Sequence, residues 1–489
     1  MPLQNNHIQT YTYTGPEAYH AVVGQILAGL GYVGGKEERH VGAVVTITDE
    51  KGRLHVTCRF RGQGPDFVTE VWLLTQDTVK NVLKTCLLQW HERYTEAKPS
   101  PWGTLLGVRP TKLVHRYLDE GMSTAEAVTT LEETYHVSPE KATELVTMAQ
   151  RQRPYVCPAP RTVSVYVGIP YCSSHCLYCS FPSRLIGSER EQGLQAFVSA
   201  LVRDITDIGR LCREYGLTVS TAYVGGGTPT CLPTTALAMI LEAMQDAIGP
   251  VREWTVEAGR PDTATEEKLR LLHAYGVDRI SVNPQTMQQR LLDALGRRHL
   301  VEDIYTMYET CKKVGFRVVN MDFIAGLPGQ TIEDMQENME KVCQLHPENV
   351  TIHTLALKKR APLFHHPLRD RIPSAETVAA MLEETQSSLT QRGYVPYYMY
   401  RQTYMAASFA NIGYALPEAI GIYNIEMMEE RQAVLGAGPG SATKLLCPDG
   451  HSLDKVYMPK TVDTYVASLH DKLGKRRKAC AAIYGGEDS

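Results

Sequence analysis

Gly168-Ile169-Pro170-Tyr171-Cys172-Ser173-Ser174-His175-Cys176-Leu177-Tyr178-Cys179 is the stretch from which the rest of the chain can be read. Its thiols stand at Cys172, Cys176 and Cys179, a C-x3-C-x2-C spacing. Ahead of them, Thr162-Val163-Ser164-Val165-Tyr166-Val167 has the composition of a buried strand. The thiols therefore fall on a loop at a strand's C-terminal end, where α/β folds place their chemistry. Three thiolates are one short of a four-cysteine site. An iron–sulfur cube held by three would keep one iron open to a small ligand. A zinc ribbon needs a second C-x2-C pair, and none follows. Three ordinary loop cysteines are the plain alternative. The spacing, the strand and a glycine run described below weigh against it.

At 489 residues the chain exceeds one ordinary domain and points to about two or three units. Its 43% hydrophobic content suffices for a substantial core, and a net charge of −4 gives no global basic field for nucleic acid or anionic lipid. No apolar run reaches the roughly 18 residues that span a bilayer, and Met1-Pro2-Leu3-Gln4 opens no signal peptide. A cytoplasmic protein with reduced thiols is expected. Nine further cysteines are scattered and read as small core residues. Tyr outnumbers Phe by 26 to 8; the excess suits either a pocket for a flat polar ligand or buried, hydrogen-bonded tyrosines.

Residues 1–155 read as an accessory α+β and helical region. His7–Tyr13 alternates like a strand, Pro16–Leu30 is an amphipathic helix stopped by Gly31, and Val41–Phe60 is a hairpin turning at Asp49-Glu50-Lys51-Gly52. Helical periodicity covers Asp77–Glu96 and Lys112–Glu120. Ser123-Thr124-Ala125-Glu126 opens a helix as a capping box, and Ser138-Pro139 opens the next. Residues 151–160 are proline-rich and read as a linker. Strands then alternate with helices across 161–373, starting near Thr162, Thr221, Glu253, Arg279, Val318 and Asn349. Six parallel strands with crossover helices make an α/β sheet, open or curled toward a barrel. Residues 374–489 form a smaller mixed C-terminal region, suited to a substrate or lid role, with a long helix and a strand at Tyr394–Tyr400.

Each strand end carries something unusual. The second ends in Gly225-Gly226-Gly227-Thr228-Pro229-Thr230, where glycines let backbone groups approach a ligand. The third ends at Glu257, whose carboxylate can accept from ribose hydroxyls. The fourth ends at Asn283-Pro284-Gln285, followed by Arg297, Arg298 and His299; the fifth ends at Asp322 before Gly326-Leu327-Pro328-Gly329; the sixth ends near Ala356. Singly, each has an ordinary structural explanation. Together they place polar groups on one face of the layer.

These residues resemble a known family. The cysteine spacing with Tyr178 is the signature of radical S-adenosylmethionine enzymes. Ile169-Pro170-Tyr171-Cys172, then Gly-Gly-Gly-Thr-Pro-Thr, then Gln285 with Arg297, then Asp322 with Gly326-Leu-Pro-Gly, resemble the oxygen-independent coproporphyrinogen III oxidase group over about 160–445. Gly107-Val-Arg-Pro-Thr-Lys-Leu-Val114, Tyr397-Tyr-Met-Tyr-Arg-Gln402 and Gly436-Ala-Gly-Pro-Gly-Ser-Ala442 are similar to its coproporphyrinogen dehydrogenase HemZ branch.

The resemblance implies a radical SAM partial (β/α)6 barrel, with Cys172, Cys176 and Cys179 holding a [4Fe–4S] cluster whose fourth iron takes S-adenosyl-L-methionine. It implies Tyr166 and Tyr178 beside the cluster and nucleoside, Gly226, Gly227 and Thr228 at the methionyl part, and Glu257 at the ribose or amino-acid part. Gln285, Arg297 and Asp322 become further cofactor contacts, and Ala356 a backbone contact to adenine. The implied reaction is oxidative decarboxylation of coproporphyrinogen III to protoporphyrinogen IX in haem biosynthesis. In it, two propionates become vinyl groups, each losing carbon dioxide, a hydrogen atom and one further electron. A haem-binding chaperone of the same fold, or another radical activity on a tetrapyrrole, are the alternatives. A tetrapyrrole substrate and an electron donor are the implied partners of a monomeric protein, without membrane or nucleic acid. Arg260, Arg297, Arg298 and Arg401 are candidates, by charge, for the substrate's carboxylates. Two positions depart from the family pattern: Phe181 stands where an additional cysteine is usual, and Gly168 where a histidine is.

Overall fold

A computed structural model describes residues 9–29, 32–34, 42–50, 53–60, 63–72, 76–95, 101–105, 108–156, 161–401, 409–450 and 452–486. The expected hairpin tip at 51–52, the Gly31 stop, Gly107, Gln402 and the end of the proline-rich linker lie outside these residues. By its contacts the chain divides into two units, one of residues 1–150 with 400–410, the other of 151–399 with 411–489.

In the first unit, β1 (Gln9–Thr14), α1 (Glu17–Gly29), β2 (Tyr32–Gly34), β3 (Gly42–Glu50), β4 (Arg53–Phe60), β5 (Gln63–Trp72) and α2 (Gln76–Thr95) come first. They are followed by α3 (Thr111–Asp119), α4 (Thr124–Tyr135) and α5 (Pro139–Gln152). The sheet order is β2-β1-β3-β4-β5. Alternation decides which face is buried: Ala43, Val45 and Ile47 of β3 and Leu54, Val56 and Cys58 of β4 turn inward. There they meet Val23, Ile26 and Leu27 of α1 and Trp90 of α2. The capping box at Ser123 forms, with Ser123 N–H donating to Glu126 at 2.7 Å and Glu126 N–H to the Ser123 hydroxyl at 3.2 Å.

The second unit runs β6 (Thr162–Ile169), β7 (Tyr171–Cys172), β8 (Arg184–Leu185), α6 (Glu191–Glu214), β9 (Thr218–Gly226), α7 (Thr234–Ile248), β10 (Glu253–Glu257) and α8 (Glu266–Ala274). Next come β11 (Arg279–Gln285), α9 (Gln289–Ala294), α10 (Val301–Val314), β12 (Val318–Ala325), α11 (Ile332–Leu345), β13 (Asn349–Thr354), α12 (Ala375–Thr390) and β14 (Val395–Arg401). The last elements are β15 (Ala410–Ala415), α13 (Ile422–Glu429), β16 (Ala433–Ala437), β17 (Ala442–Leu446), β18 (Leu453–Tyr457) and α14 (Val462–Tyr484). Strands β6, β9, β10, β11, β12 and β13 pair in parallel and in chain order. Their near-continuous burial is that of parallel strands covered on both faces.

The six strands do not close on themselves. The outer edge of β6 takes β16 in parallel, and that of β13 takes β15 antiparallel. The sheet thus extends to eleven strands and is mixed, consistent with a partial barrel. Pairing of Ala433–Ala437 with Val163–Val167 had no signature in the sequence, because five small or apolar residues carry no period of their own.

α14 is held by a buried charge cluster. Arg476, fully buried, pairs with Asp204 at 2.7 Å and Asp207 at 2.8 Å on α6. Asp204 also accepts from the Tyr465 hydroxyl at 2.7 Å and from Gly438 N–H at 3.0 Å. Arg476→Ala leaves the Asp204 carboxylate buried without its cation, while Asp207 keeps Arg477, and should cost about 3 kcal/mol of stability. A drop in the denaturant midpoint checks this; an unchanged midpoint would show the cluster to be idle.

Candidate active site

The thiol loop is fastened on several sides by main-chain bonds. Gly227 N–H donates to Ile169 O at 2.7 Å and Thr228 N–H to Tyr171 O at 2.7 Å, joining the loop to the glycine turn after β9. Leu177 N–H donates to Leu295 O at 3.1 Å, and Leu363 N–H donates to Leu177 O at 2.9 Å. Glycine is required at 227: a Cβ there would stand 2.3 Å from Tyr171 O and 3.1 Å from Cys172 Sγ. At Gly226, where φ is +109°, a Cβ would lie 2.9 Å from Ile169 O and 3.2 Å from the Phe181 ring.

Two arginines meet the loop from beneath. Arg260 donates to the Ser173 and Ser174 hydroxyls at 2.8 and 2.5 Å and to Cys176 Sγ at 3.1 Å. Arg297 donates to Tyr178 OH at 3.1 Å, Gly259 O at 3.0 Å and Asn283 O at 2.5 Å, and lies 3.8 Å from Cys176 Sγ. Burial alone would raise the Cys176 thiol. Arg297 and then Arg260 outweigh it and hold the thiol below its ordinary range, which favours thiolate. Burial raises the Cys179 thiol. The Cys172 sulfur accepts from Thr228 Oγ1 at 3.6 Å. Among the described residues, no three His, Cys, Asp or Glu side chains are gathered tightly enough to hold a metal as they stand. What fits a cluster is the donor chemistry: three thiols on one loop, one pushed toward thiolate, beside a glycine turn with no room for a side chain.

The strand ends supply the rest. Tyr223 OH donates to Glu257 at 2.7 Å, and the Tyr166 and Tyr223 rings stack at 6.2 Å. Burial pushes Glu257 up to about 7, with Asp322 adding to the rise and Tyr223 opposing it. Asp322 accepts from Asn320 at 2.8 Å and lies 3.7 Å from His353 Nε2. Gln285 is buried with φ at +70°, a left-handed conformation uncommon outside glycine. Tyr178 packs against Leu295, Ile324 and Leu327, as does Leu355. Ala356 is the second residue of the loop after β13, where its carbonyl accepts from Lys358 N–H at 3.0 Å. Cys176, Cys179, Tyr166, Tyr178, Gly226, Gly227, Thr228, Glu257, Gln285, Asp322 and Ala356 belong to β6 and β9–β13 or to the segments that follow these strands, with Cys172 in the short β7 and Arg297 in the turn between α9 and α10.

Of the four arginines expected at substrate carboxylates, three have other partners. Arg260 and Arg297 are buried against the loop. Arg401 is buried in the first unit, where it bonds Leu105 O and lies over the Trp102 ring at 4.3 Å. Only Arg298 is exposed. The sequence named His299 without giving it a role, and gave no sign of Tyr423. His299 is buried with neither ring nitrogen bonded, and burial next to Arg297 lowers it to about 4. Tyr423 stacks on Tyr223 at 4.7 Å and arrives on α13, far along the chain, with no local signal. Gly168 has a steric reason: a Cβ there would meet Pro439 O at 2.9 Å, so the Gly438-Pro439 turn leaves no room for a histidine.

The parallel strands and the thiol loop define a class, and a family model described as the Radical SAM superfamily matches residues 166–342. The chain is 37% identical over 385 residues to the oxygen-independent coproporphyrinogen-III oxidase-like protein HemZ of Bacillus subtilis, covering 78% of this chain and 76% of that protein. It is 30% identical over 334 residues to the heme chaperone HemW of Lactococcus lactis, covering 65% and 82%. The solved coproporphyrinogen III oxidase HemN of Escherichia coli, described as a radical SAM enzyme, shares the fold with a TM-score of 0.50 at 22% identity, over 66% of this chain and 73% of that one. The chain belongs to the radical SAM superfamily, in the family of HemZ-like proteins related to oxygen-independent coproporphyrinogen-III oxidase.

The raised Glu257 has a stability consequence. Its folded-state pKa lies above the unfolded one, so the unfolded chain loses this proton first and stability falls as pH rises. Glu257→Gln should match wild type below about pH 5, then gain on it up to about pH 7 and hold that gain above. Chemical denaturation across pH checks this; a gap independent of pH would overturn it.

Proposed function

We propose that this protein is a radical enzyme of haem biosynthesis that oxidatively decarboxylates coproporphyrinogen III to protoporphyrinogen IX without oxygen. The observation that carries the reading is the thiol loop, with Cys176 pushed toward thiolate by Arg297 and Arg260, set beside the glycine turn and Glu257. Cys172, Cys176 and Cys179 would hold a [4Fe–4S] cluster. Gly226, Gly227 and Thr228 would take the methionyl part of S-adenosyl-L-methionine. Glu257, Gln285, Asp322 and the backbone at Ala356 would take its nucleoside and amino-acid parts. When bound, these groups supply a carbon-centred radical able to remove a hydrogen atom from a propionate side chain.

The chain's own residues bind, orient and exclude water. Arg297 acts as a positioning residue, since its guanidinium is committed to Gly259 O, Asn283 O and Tyr178 OH. Tyr223 orients the Glu257 carboxyl. Tyr166 and Tyr423 flank Tyr223 and keep that side of the site dry. No helix among the described residues is long and apolar enough to cross a membrane, and the reading takes the protein as cytoplasmic, monomeric and served by a separate electron donor. Phe181, standing over Gly226 where a further cysteine is usual, favours a second reading as a haem-handling chaperone.

Anaerobic reconstitution with iron and sulfide, then S-adenosylmethionine, a reductant and coproporphyrinogen III, should yield a vinyl product together with 5′-deoxyadenosine. Deoxyadenosine without vinyl product would assign another substrate. Stoichiometric haem binding without deoxyadenosine would assign the chaperone. Separately, Cys176→Ala should purify without the brown colour and iron content of a thiolate-held cluster. Full iron in that variant would remove Cys176 from the ligand set.

A further inference from the structure

The loop after β13 forms a strap along the site. Its start is fixed where Leu355 N–H donates to Ala325 O at 2.9 Å, at the end of β12. Its far side is fixed where Leu363 N–H donates to Leu177 O at 2.9 Å, between Cys176 and Cys179. Between these points the backbone is turned tightly, with Lys358 N–H on Ala356 O at 3.0 Å and Ala361 N–H on Lys358 O at 2.9 Å. The strap is therefore a rim joining the last parallel strand to the thiol loop.

Its charge is one-sided. From Leu357 to Arg371 it carries Lys358, Lys359, Arg360, Arg369 and Arg371 against one acid, Asp370. Lys358, Lys359 and Arg360 are consecutive and exposed, and their side chains form no hydrogen bond or ion pair with a described residue. Three adjacent exposed cations, bonded to no acidic side chain among the described residues, raise a local positive potential that favours an anionic ligand. Meanwhile Arg260, Arg297 and Arg401 are buried and engaged elsewhere, leaving the site few cations that can reach a ligand's carboxylates.

We infer that Lys358, Lys359 and Arg360 form the subsite that receives the carboxylates of a polycarboxylate tetrapyrrole at the mouth of the site. The inference rests on the reading under Proposed function and adds where the substrate's charged arms are held. On a rigid rim, flexible ammonium and guanidinium groups can follow propionates of differing position. That suits a substrate presenting one propionate after another to a fixed reacting centre.

The test is binding, not turnover. The full chain is titrated with coproporphyrin III, the stable oxidised tetracarboxylate, and with mesoporphyrin, a dicarboxylate of the same ring, followed by absorbance at low salt. The variant Lys358→Gln/Lys359→Gln/Arg360→Gln should bind coproporphyrin about tenfold more weakly, at roughly half a kcal/mol per exposed contact, with a smaller loss for mesoporphyrin. Lys472→Gln/Lys475→Gln/Lys478→Gln on α14 removes equal charge and should bind as wild type does. The single change Lys359→Gln gives the same sign should the triple variant fail to fold. Wild-type coproporphyrin affinity in these strap variants would overturn the inference and leave the reading standing, as it would if the strap serves an acidic protein instead. Absence of coproporphyrin binding by wild type would overturn the reading itself.

Discussion

A guanidinium in the protein interior has to be surrounded by acceptors, or its desolvation unfolds the region around it. Arg297 meets that condition through its two terminal nitrogens, which reach three elements at once: the turn after β10 through Gly259 O, β11 through Asn283 O, and the thiol loop through Tyr178 OH and Cys176 Sγ; its Nε is buried without a partner. Its placement sets the height of the loop over the strand ends. With Arg260 it also sets the charge the loop prefers, since a cation pair beside Cys176 is tolerable in the interior only alongside negative sulfur. The loop, the strand ends and the thiol's ionisation are thus consequences of one requirement.

Toward the N-terminal ends of the parallel strands, carboxylates do the organising. Glu253 accepts the N–H groups of Ile422 and Tyr423 at 2.8 and 3.0 Å, holding the N-terminus of α13 with a negative charge. Glu426 of that helix accepts from Ser164 and Thr221, each at 2.6 Å, and from Ser220 at 3.0 Å. Burial raises the Glu426 carboxyl despite these donors. Together the two carboxylates seat α13 against β6, β9 and β10. That seating carries Tyr423 onto Tyr223, so the aromatic side of the candidate site is assembled from the far end of the chain.

Much of this was legible beforehand because it is local. The thiol spacing, the glycine turn, the six strands and their polar ends are written in short windows, and the family resemblance rests on those windows. What was not legible is what the fold brings together from a distance. Arg260 and Arg401 carry the same charge in sequence, yet one folds under the thiol loop and the other onto Trp102 in another unit. The emptiness of Gly168 is explained only once Gly438-Pro439 is seen beside it, a crossing of two turns with no shared sequence signal. Tyr423 and β16 were hidden for the same reason, since long-range pairing leaves no period in the segment that makes it.

The pairing of β6 with β16 also sets an order in time. β6 carries the thiol loop at its end, but its outer neighbour is encoded at Ala433–Ala437, after every other strand of the parallel run has been made. During synthesis from the N-terminus, the edge of the first strand must wait with its hydrogen-bonding groups unpaired until the ribosome has passed these residues. A chain stopped shortly before them would hold all three cysteines and every strand-end group discussed above. It would also keep an open strand edge beside its most reactive loop.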